Sequence, residues 1–144
     1  MDIVSIIFRY IHIVSAVLAV GGTSFIALCL SPAMRVMDDS FRETLLDLVN
    51  RRFAVILWAS IAGLVVSGAY NWVMLNPKYN EVGPLAQALI GTKVLLAFLL
   101  FGLIWARHIG LIRLALKTHL LIAVHLGAIV ILLGSILRNL HLSS

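Results

Sequence analysis

The chain has 144 residues, of which 62% are hydrophobic and only 12% are charged, and its formal net charge is +5. A soluble domain carries roughly twice that charged fraction, so water could not cover the surface of this protein and lipid has to. The basic residues lie between apolar stretches instead of forming one solvated patch, which excludes nucleic acid as a partner and indicates a polytopic membrane domain.

Four apolar stretches meet the length of about 20 residues that a helix needs to span a bilayer. They cover about residues 3–30, 53–74, 85–106 and 116–140. Backbone amides in lipid must pair within their own segment, so each stretch is predicted to be an α-helix. The connections are short, and we therefore expect one all-α domain over 1–144, an integral membrane four-helix bundle.

The breaks between these helices have local causes. Ser31-Pro32 is expected to end or kink the first helix, and Asn76-Pro77 is expected to end the second. Gly83-Pro84 places a proline where the third helix should begin. The turn before the fourth helix is predicted to bend at Gly110, close to Arg113.

The segment 35–52 is the longest polar piece of the chain, and leucines interleave with its charges. We expect it to form a short amphipathic helix on the membrane surface. The first and third loops together hold seven Lys and Arg residues, whereas the loop between them holds Lys78 alone. The positive-inside rule then predicts a protein of the bacterial cytoplasmic (inner) membrane with both termini non-cytoplasmic.

Small side chains recur at every fourth position on two of the predicted helices, which lets helices approach closely in lipid. The first stripe consists of Ser15, Ala19, Thr23 and Ala27, and the second of Ala59, Gly63 and Ser67. The single cysteine, Cys29, is expected to be a small buried side chain, and no disulfide within the chain is possible.

Polar side chains inside apolar helices are costly, so each one is a candidate for function. His12 shares a helix face with small residues, the arrangement of an axial haem ligand beside a smooth wall. His125 has apolar neighbours on both sides and needs a partner, either a metal or a hydrogen bond. An equally good interpretation is that each histidine is held by a hydrogen bond, for His12 one to a neighbouring helix.

Two basic residues are further candidates: Lys93 lies deep in the third predicted span, and Arg9 lies close to His12. Lys93 requires an anion such as a haem propionate, a water-filled cavity or a path to the outer interface. Arg9 lies one turn before His12, where it could bind a propionate or simply mark the helix end. His108, His119 and His141 lie near helix ends and are expected to be solvated.

The order of motifs along the chain resembles a known family. These motifs are Tyr10-Ile-His12, Arg51-Arg52-Phe53, Ser67-Gly68 and Gly91-Thr-Lys93. They resemble the copper-resistance-protein-D-like membrane proteins and the related HemJ-type protoporphyrinogen oxidases. The resemblance implies a b-type haem or porphyrin in a four-helix bundle, with His12, Arg52 and Lys93 at matching positions. The sequence departs from the HemJ type at Val20-Gly21-Gly22, where that type carries a tryptophan.

The leading functional prediction is a haem b-binding membrane protein with a redox or electron-transfer role, with His12 and His125 as axial ligands and Lys93 and Arg9 at the propionates. An enzymatic alternative is a membrane oxidoreductase that acts on a porphyrin or quinone-type substrate, with Lys93 and Arg52 binding carboxylates and His12 assisting proton removal. A third alternative is an accessory subunit of a larger membrane complex, a homo-oligomer or a copper-handling protein.

Overall fold

The predicted all-α class is confirmed by the computed structural model, which describes residues 3–109, 111 and 115–143, without the side chains of 75, 76, 78, 79 and 140–143. The described residues form no strand. The bend predicted at Gly110 and the residue Arg113 lie outside the described residues. Four helical runs account for the described chain: α1 (Ile3–Val36), α2 (Asp39–Val82), α3 (Pro84–His108) and α4 (Leu116–Ser143).

All four runs contain helices long and apolar enough to cross a membrane. Their surfaces carry large apolar side chains that would be unfavourable in water, among them Val55 at 72% exposure and Phe98 at 65%. The chain is therefore a membrane protein whose outer surface is suited to lipid.

The first run is not one uniform α-helix. Its successive parts are α-helical Ile3–Ala16, π-helical Val17–Gly21, α-helical Gly22–Phe25, π-helical Ile26–Leu30, α-helical Ser31–Ala33 and a 3-10 turn over Met34–Val36. Pro32 does not end the run: it lies just after the π-helical turn Ile26–Leu30, and the helix continues through it to Val36. The chain leaves the helix only at Met37, whose backbone is extended.

The second run also departs from the prediction, at both ends. The segment 35–52 was expected to be a separate surface helix, but from Asp39 onward it is the first part of α2 because no residue there breaks the helix. Two exposed ion pairs stabilise this part at helical spacing, Arg42–Asp39 at 2.7 Å and Arg51–Asp47 at 2.9 Å.

The predicted end of this helix at Asn76-Pro77 is wrong, because α2 continues through Pro77 to Val82. The fixed φ of proline is itself helical, so the chain keeps its helical course beyond Pro77 although one backbone hydrogen bond is lost there. Gly83 then ends the helix with a φ of 112°, a conformation that residues with a side chain rarely adopt. The third helix begins at Pro84, as the Gly83-Pro84 pattern predicts.

The chain divides into two compact units, Met1–Ala69 and Tyr70–Ser144. In the first unit, α1 packs against the earlier part of α2, and Ile26 and Met34 are among its buried side chains. In the second unit, α3 packs against α4, with Ala86 and Leu100 buried on α3. Cys29 is exposed on α1 instead of buried, since it faces away from these contacts.

Candidate functional site

His12 is held by a hydrogen bond within the first unit. Its ring is half-buried, and its Nδ1 lies 2.9 Å from the Oγ of Ser67, a residue with no exposed surface. The Ser67 hydroxyl donates its only proton to the backbone carbonyl of Gly63, at 2.5 Å. Ser67 Oγ must therefore accept from His12, which assigns the proton to Nδ1 and the lone pair of the ring to Nε2.

Small residues of α2 make this approach possible. A side chain at Gly63 would collide with Ser15 Oγ, and a Cβ at Gly68 would lie 3.6 Å from His12 Cε1. Ser15 is itself buried on α1. The face of α2 that receives His12 is thus built from residues with little or no side chain, which brings the two backbones close together.

The predicted small-residue stripes are only partly right. On α1, Ser15, Thr23 and Ala27 are buried, in agreement with the prediction. On α2, Ala59 is exposed and its neighbour Ser60 is buried instead. A side chain at Gly22 would collide with the ring of Phe53, so a second close contact of this kind lies further along the same two helices.

His125 lies in the second unit and has the same tautomer for a different reason. Its Nδ1 is 2.7 Å from the backbone carbonyl of Leu121, one turn earlier on α4. A carbonyl oxygen can only accept, so Nδ1 carries the proton and Nε2 carries the lone pair. The side chain of His125 is exposed on the helix surface, where its Nε2 can be reached by a ligand.

Lys93 is half-buried in the second unit, and its side chain lies over a glycine of α4. A Cβ at Gly134 would be 3.2 Å from Lys93 Nζ and 3.6 Å from its Cε. The absence of a side chain at Gly134 thus provides the space that the ammonium group occupies between α3 and α4. Among the described residues, no acidic side chain forms an ion pair with Lys93.

Arg9 and Arg52, which were predicted to bind carboxylates of a cofactor or substrate, are both exposed. Arg9 lies on α1 one turn before His12, and Arg52 lies on α2 next to Phe53. Within the described part of the chain, neither forms an ion pair with an acidic residue.

The three histidines near helix ends differ from one another. His108, at the end of α3, is exposed as expected. His119 is 94% buried on α4, so the expectation that it is solvated is wrong, and its Nδ1 has no hydrogen-bond partner among the described residues. The side chain of His141 lies outside the described residues.

Two residues of these sites were not foreseen as partners. The sequence patterns place Ser67 in a packing stripe and in the motif Ser67-Gly68, but they do not predict it as a partner of a histidine. Gly134 had no signal of its own, because its role depends on which residue of α3 faces it. Both cases depend on helix rotation, which follows from packing and not from the spacing along one helix.

No group of three or more His, Cys, Asp or Glu side chains that could hold a metal ion occurs among the described residues. No protein-family model, curated protein or solved structure matches this chain. The fold and the sites together define a membrane protein with four apolar helices, two intramembrane histidines of defined tautomer and one intramembrane lysine.

Proposed function

We propose that the chain is a haem b-binding integral membrane protein with a redox or electron-transfer role. The observation that supports this proposal is the state of the two intramembrane histidines. Both His12 and His125 donate Nδ1–H to an oxygen, so each presents Nε2 as its basic nitrogen. Histidine ligands of metals have this arrangement, because the second hydrogen bond fixes the tautomer and the ring orientation.

The donor set fits haem better than a bare metal ion. Haem iron takes one or two axial side-chain ligands, whereas a structural zinc site takes about four donors. The described residues offer single histidines and no cluster of three ligating side chains. When bound, the haem would supply one-electron chemistry, and the protein's part is to present an imidazole, exclude water and balance charge.

Ser67 has a positioning role in this proposal. Its hydroxyl connects the imidazole of His12 to the backbone of α2 through Gly63, which keeps the ring from rotating about its Cβ–Cγ bond. A hydrogen bond to the Nδ1–H also raises the electron density at Nε2 and so strengthens it as a ligand. A change at Ser67 should therefore shift the reduction potential without removing the ligand.

The test is a reduced-minus-oxidised visible spectrum of the protein purified in mild detergent with ample haem. We expect the sharp α-band of a b-type haem, its loss in His12→Ala or His125→Ala, and its retention in the matched control His108→Ala. Retention of the low-spin Soret band in both His12→Ala and His125→Ala would overturn the assignment.

For location, we propose the bacterial inner membrane with both termini non-cytoplasmic. The support is the concentration of Lys and Arg in the first and third loops. In a Cys29→Ser background, Glu81→Cys, which lies on the same side of the membrane as the termini, should react with a membrane-impermeant maleimide in intact cells, whereas Ser40→Cys should react only after lysis. The reverse pattern would contradict this orientation.

A second candidate function, an accessory subunit of a membrane complex, is favoured by open glycine positions on α3. Gly91 and Gly102 are exposed, and a Cβ at either would contact nothing within 4 Å. Such positions are suited to the close approach of a helix from another subunit. Leucine at both positions should release co-purifying subunits if this role is correct, and a protein that purifies alone with or without these changes would argue against it.

A further inference from the structure

Lys93 and Arg138 are two basic side chains of the second unit that form no ion pair among the described residues. Residues 70–144 contain six basic residues and only one acidic residue, Glu81, which is exposed near the end of α2. Two cations in or beside a bilayer need an anion to neutralise them.

Geometry brings these two cations to the same part of α4. Lys93 Nζ lies over Gly134, and Arg138 follows Gly134 by four residues, which places it on the same helix face one turn further on. Because α3 and α4 pack together and are joined by a short connection, they run antiparallel, so Arg138 lies nearer than Gly134 to the membrane edge at which α3 begins.

An open groove begins directly beside this position. It has a volume of about 370 Å³ and is lined by Ser135, Ile136, Arg138 and Asn139. Its polar groups are a guanidinium, a hydroxyl and an amide, and one apolar side chain lies among them. Lys93 lies about 14 Å along α3 from Pro84. Its apolar stem allows the ammonium group to extend towards the membrane edge at which α3 begins.

We propose that Lys93, Arg138 and this groove bind the phosphate headgroup of an anionic phospholipid. The guanidinium of Arg138 can bind a phosphate through two hydrogen bonds, and the ammonium of Lys93 adds a point charge from below. Ser135 and Asn139 can hydrogen-bond the glycerol part of the headgroup, and the lipid chains continue along the apolar surface of α4. Basic pockets between membrane helices recognise anionic lipids by this chemistry.

This inference does not depend on the proposed haem function. It uses neither His12 nor His125, and it concerns an exposed groove near the end of α4 instead of a ligand held by an imidazole. The same phosphate chemistry could also come from free phosphate in water, and the experiment has to separate that source from the lipid.

The test uses the full-length, haem-free protein in detergent, with bound lipid measured by native mass spectrometry after addition of phosphatidylglycerol or phosphatidylcholine. We expect phosphatidylglycerol to be retained preferentially. Lys93→Gln and Arg138→Gln should each lower its retention by about fivefold, the factor expected for one cation at a lipid surface. Lys117→Gln, which removes an exposed cation at the other end of α4, is the matched control and should change nothing.

Two further variants keep the test interpretable if Lys93→Gln does not fold. Arg138 is exposed, so its glutamine variant should fold normally, and the charge-conserving changes Lys93→Arg and Arg138→Lys should retain most of the lipid. Equal retention of the two lipids, or an equal loss in Lys117→Gln, would overturn the proposal. Displacement of the lipid by inorganic phosphate would assign the groove to a free anion, and displacement by haem would assign these cations to the cofactor's carboxylates; either result also overturns it.

Discussion

The two units of this protein differ in the balance of their acidic and basic residues. Residues 1–69 contain five acidic and five basic residues, and two of the basic residues pair with carboxylates on the surface of α2. Residues 70–144 contain one acidic and six basic residues, so the whole net charge of +5 belongs to the second unit. Acidic and basic residues are thus equal in number in the first unit, whereas the second unit has an excess of basic residues.

The same difference appears inside the spans. The intramembrane histidine of the first unit is satisfied by a side chain of another helix, Ser67. In the second unit, His125 is satisfied by its own helix at Leu121, and Lys93 lies over Gly134, which offers space but no charge. The first unit is therefore expected to be sensitive to changes at its helix contact, and the second to changes in its charge.

The largest effect is expected for Gly63→Leu in the first unit. The new side chain would collide with Ser15 and separate α1 from α2, and overpacking of this kind costs about 1–3 kcal/mol of unfolding free energy. The measurement is unfolding by SDS in mixed micelles, followed by tryptophan fluorescence. Gly102→Leu in the second unit is the control, because a Cβ there contacts nothing within 4 Å. Equal destabilisation by both changes would remove the contrast between the units.

A smaller loss of stability is expected for Ser67→Ala. It removes the fully buried Ser67 hydroxyl and its hydrogen bond to His12 Nδ1, which costs about 1–2 kcal/mol. The same SDS titration measures this loss, and ¹⁵N NMR of labelled histidine should show a change of tautomer at one residue. Ser135→Ala, on the exposed face of α4, should leave both readouts unchanged. An unchanged tautomer in Ser67→Ala would mean that Ser67 does not hold the ring.

A double-mutant cycle at Lys93 and Gly134 should show a weak coupling. Replacement of a helical glycine by alanine normally stabilises by about 0.5–1 kcal/mol, but at Gly134 the new Cβ would crowd Lys93 Nζ. Gly134→Ala should thus stabilise less in the wild-type protein than in the Lys93→Ala variant, by about 0.5 kcal/mol. Additive effects in this cycle would show that the lysine does not lie over the glycine.

The smallest effect is expected for the exposed ion pairs of the first unit. Asp47→Asn breaks the pair with Arg51, in which the two side chains are 62% and 79% exposed, and should cost less than about 0.5 kcal/mol. Added salt should reduce even this difference between variant and wild type, as measured by thermal unfolding in detergent. A loss above about 1 kcal/mol would indicate that this part of α2 contributes more to the fold than a surface helix does.

The fold class and the number of apolar helices were predictable because lipid leaves few backbone structures available. The ends of α1 and α2 were not, since proline normally ends or kinks a helix but both helices continue through Pro32 and Pro77. The choice of His12 as a site residue needed only its place in an apolar stretch. Its partner Ser67 depends on how α1 and α2 face each other, which no pattern along a single helix contains.

The two π-helical turns of α1 have a consequence for how this chain tolerates insertions and deletions. Residues four apart on an α-helix drift by about 40° per step, so the buried small residues of α1 would leave their face within a few steps. Each π turn, Val17–Gly21 and Ile26–Leu30, holds one additional residue and corrects that drift. A π turn can lose one residue and become an ordinary turn with its flanks in place. A deletion between Ile13 and Ala16, by contrast, falls in regular α-helix between His12 and the packed residues that follow, and it would turn His12 about 100° away from Ser67.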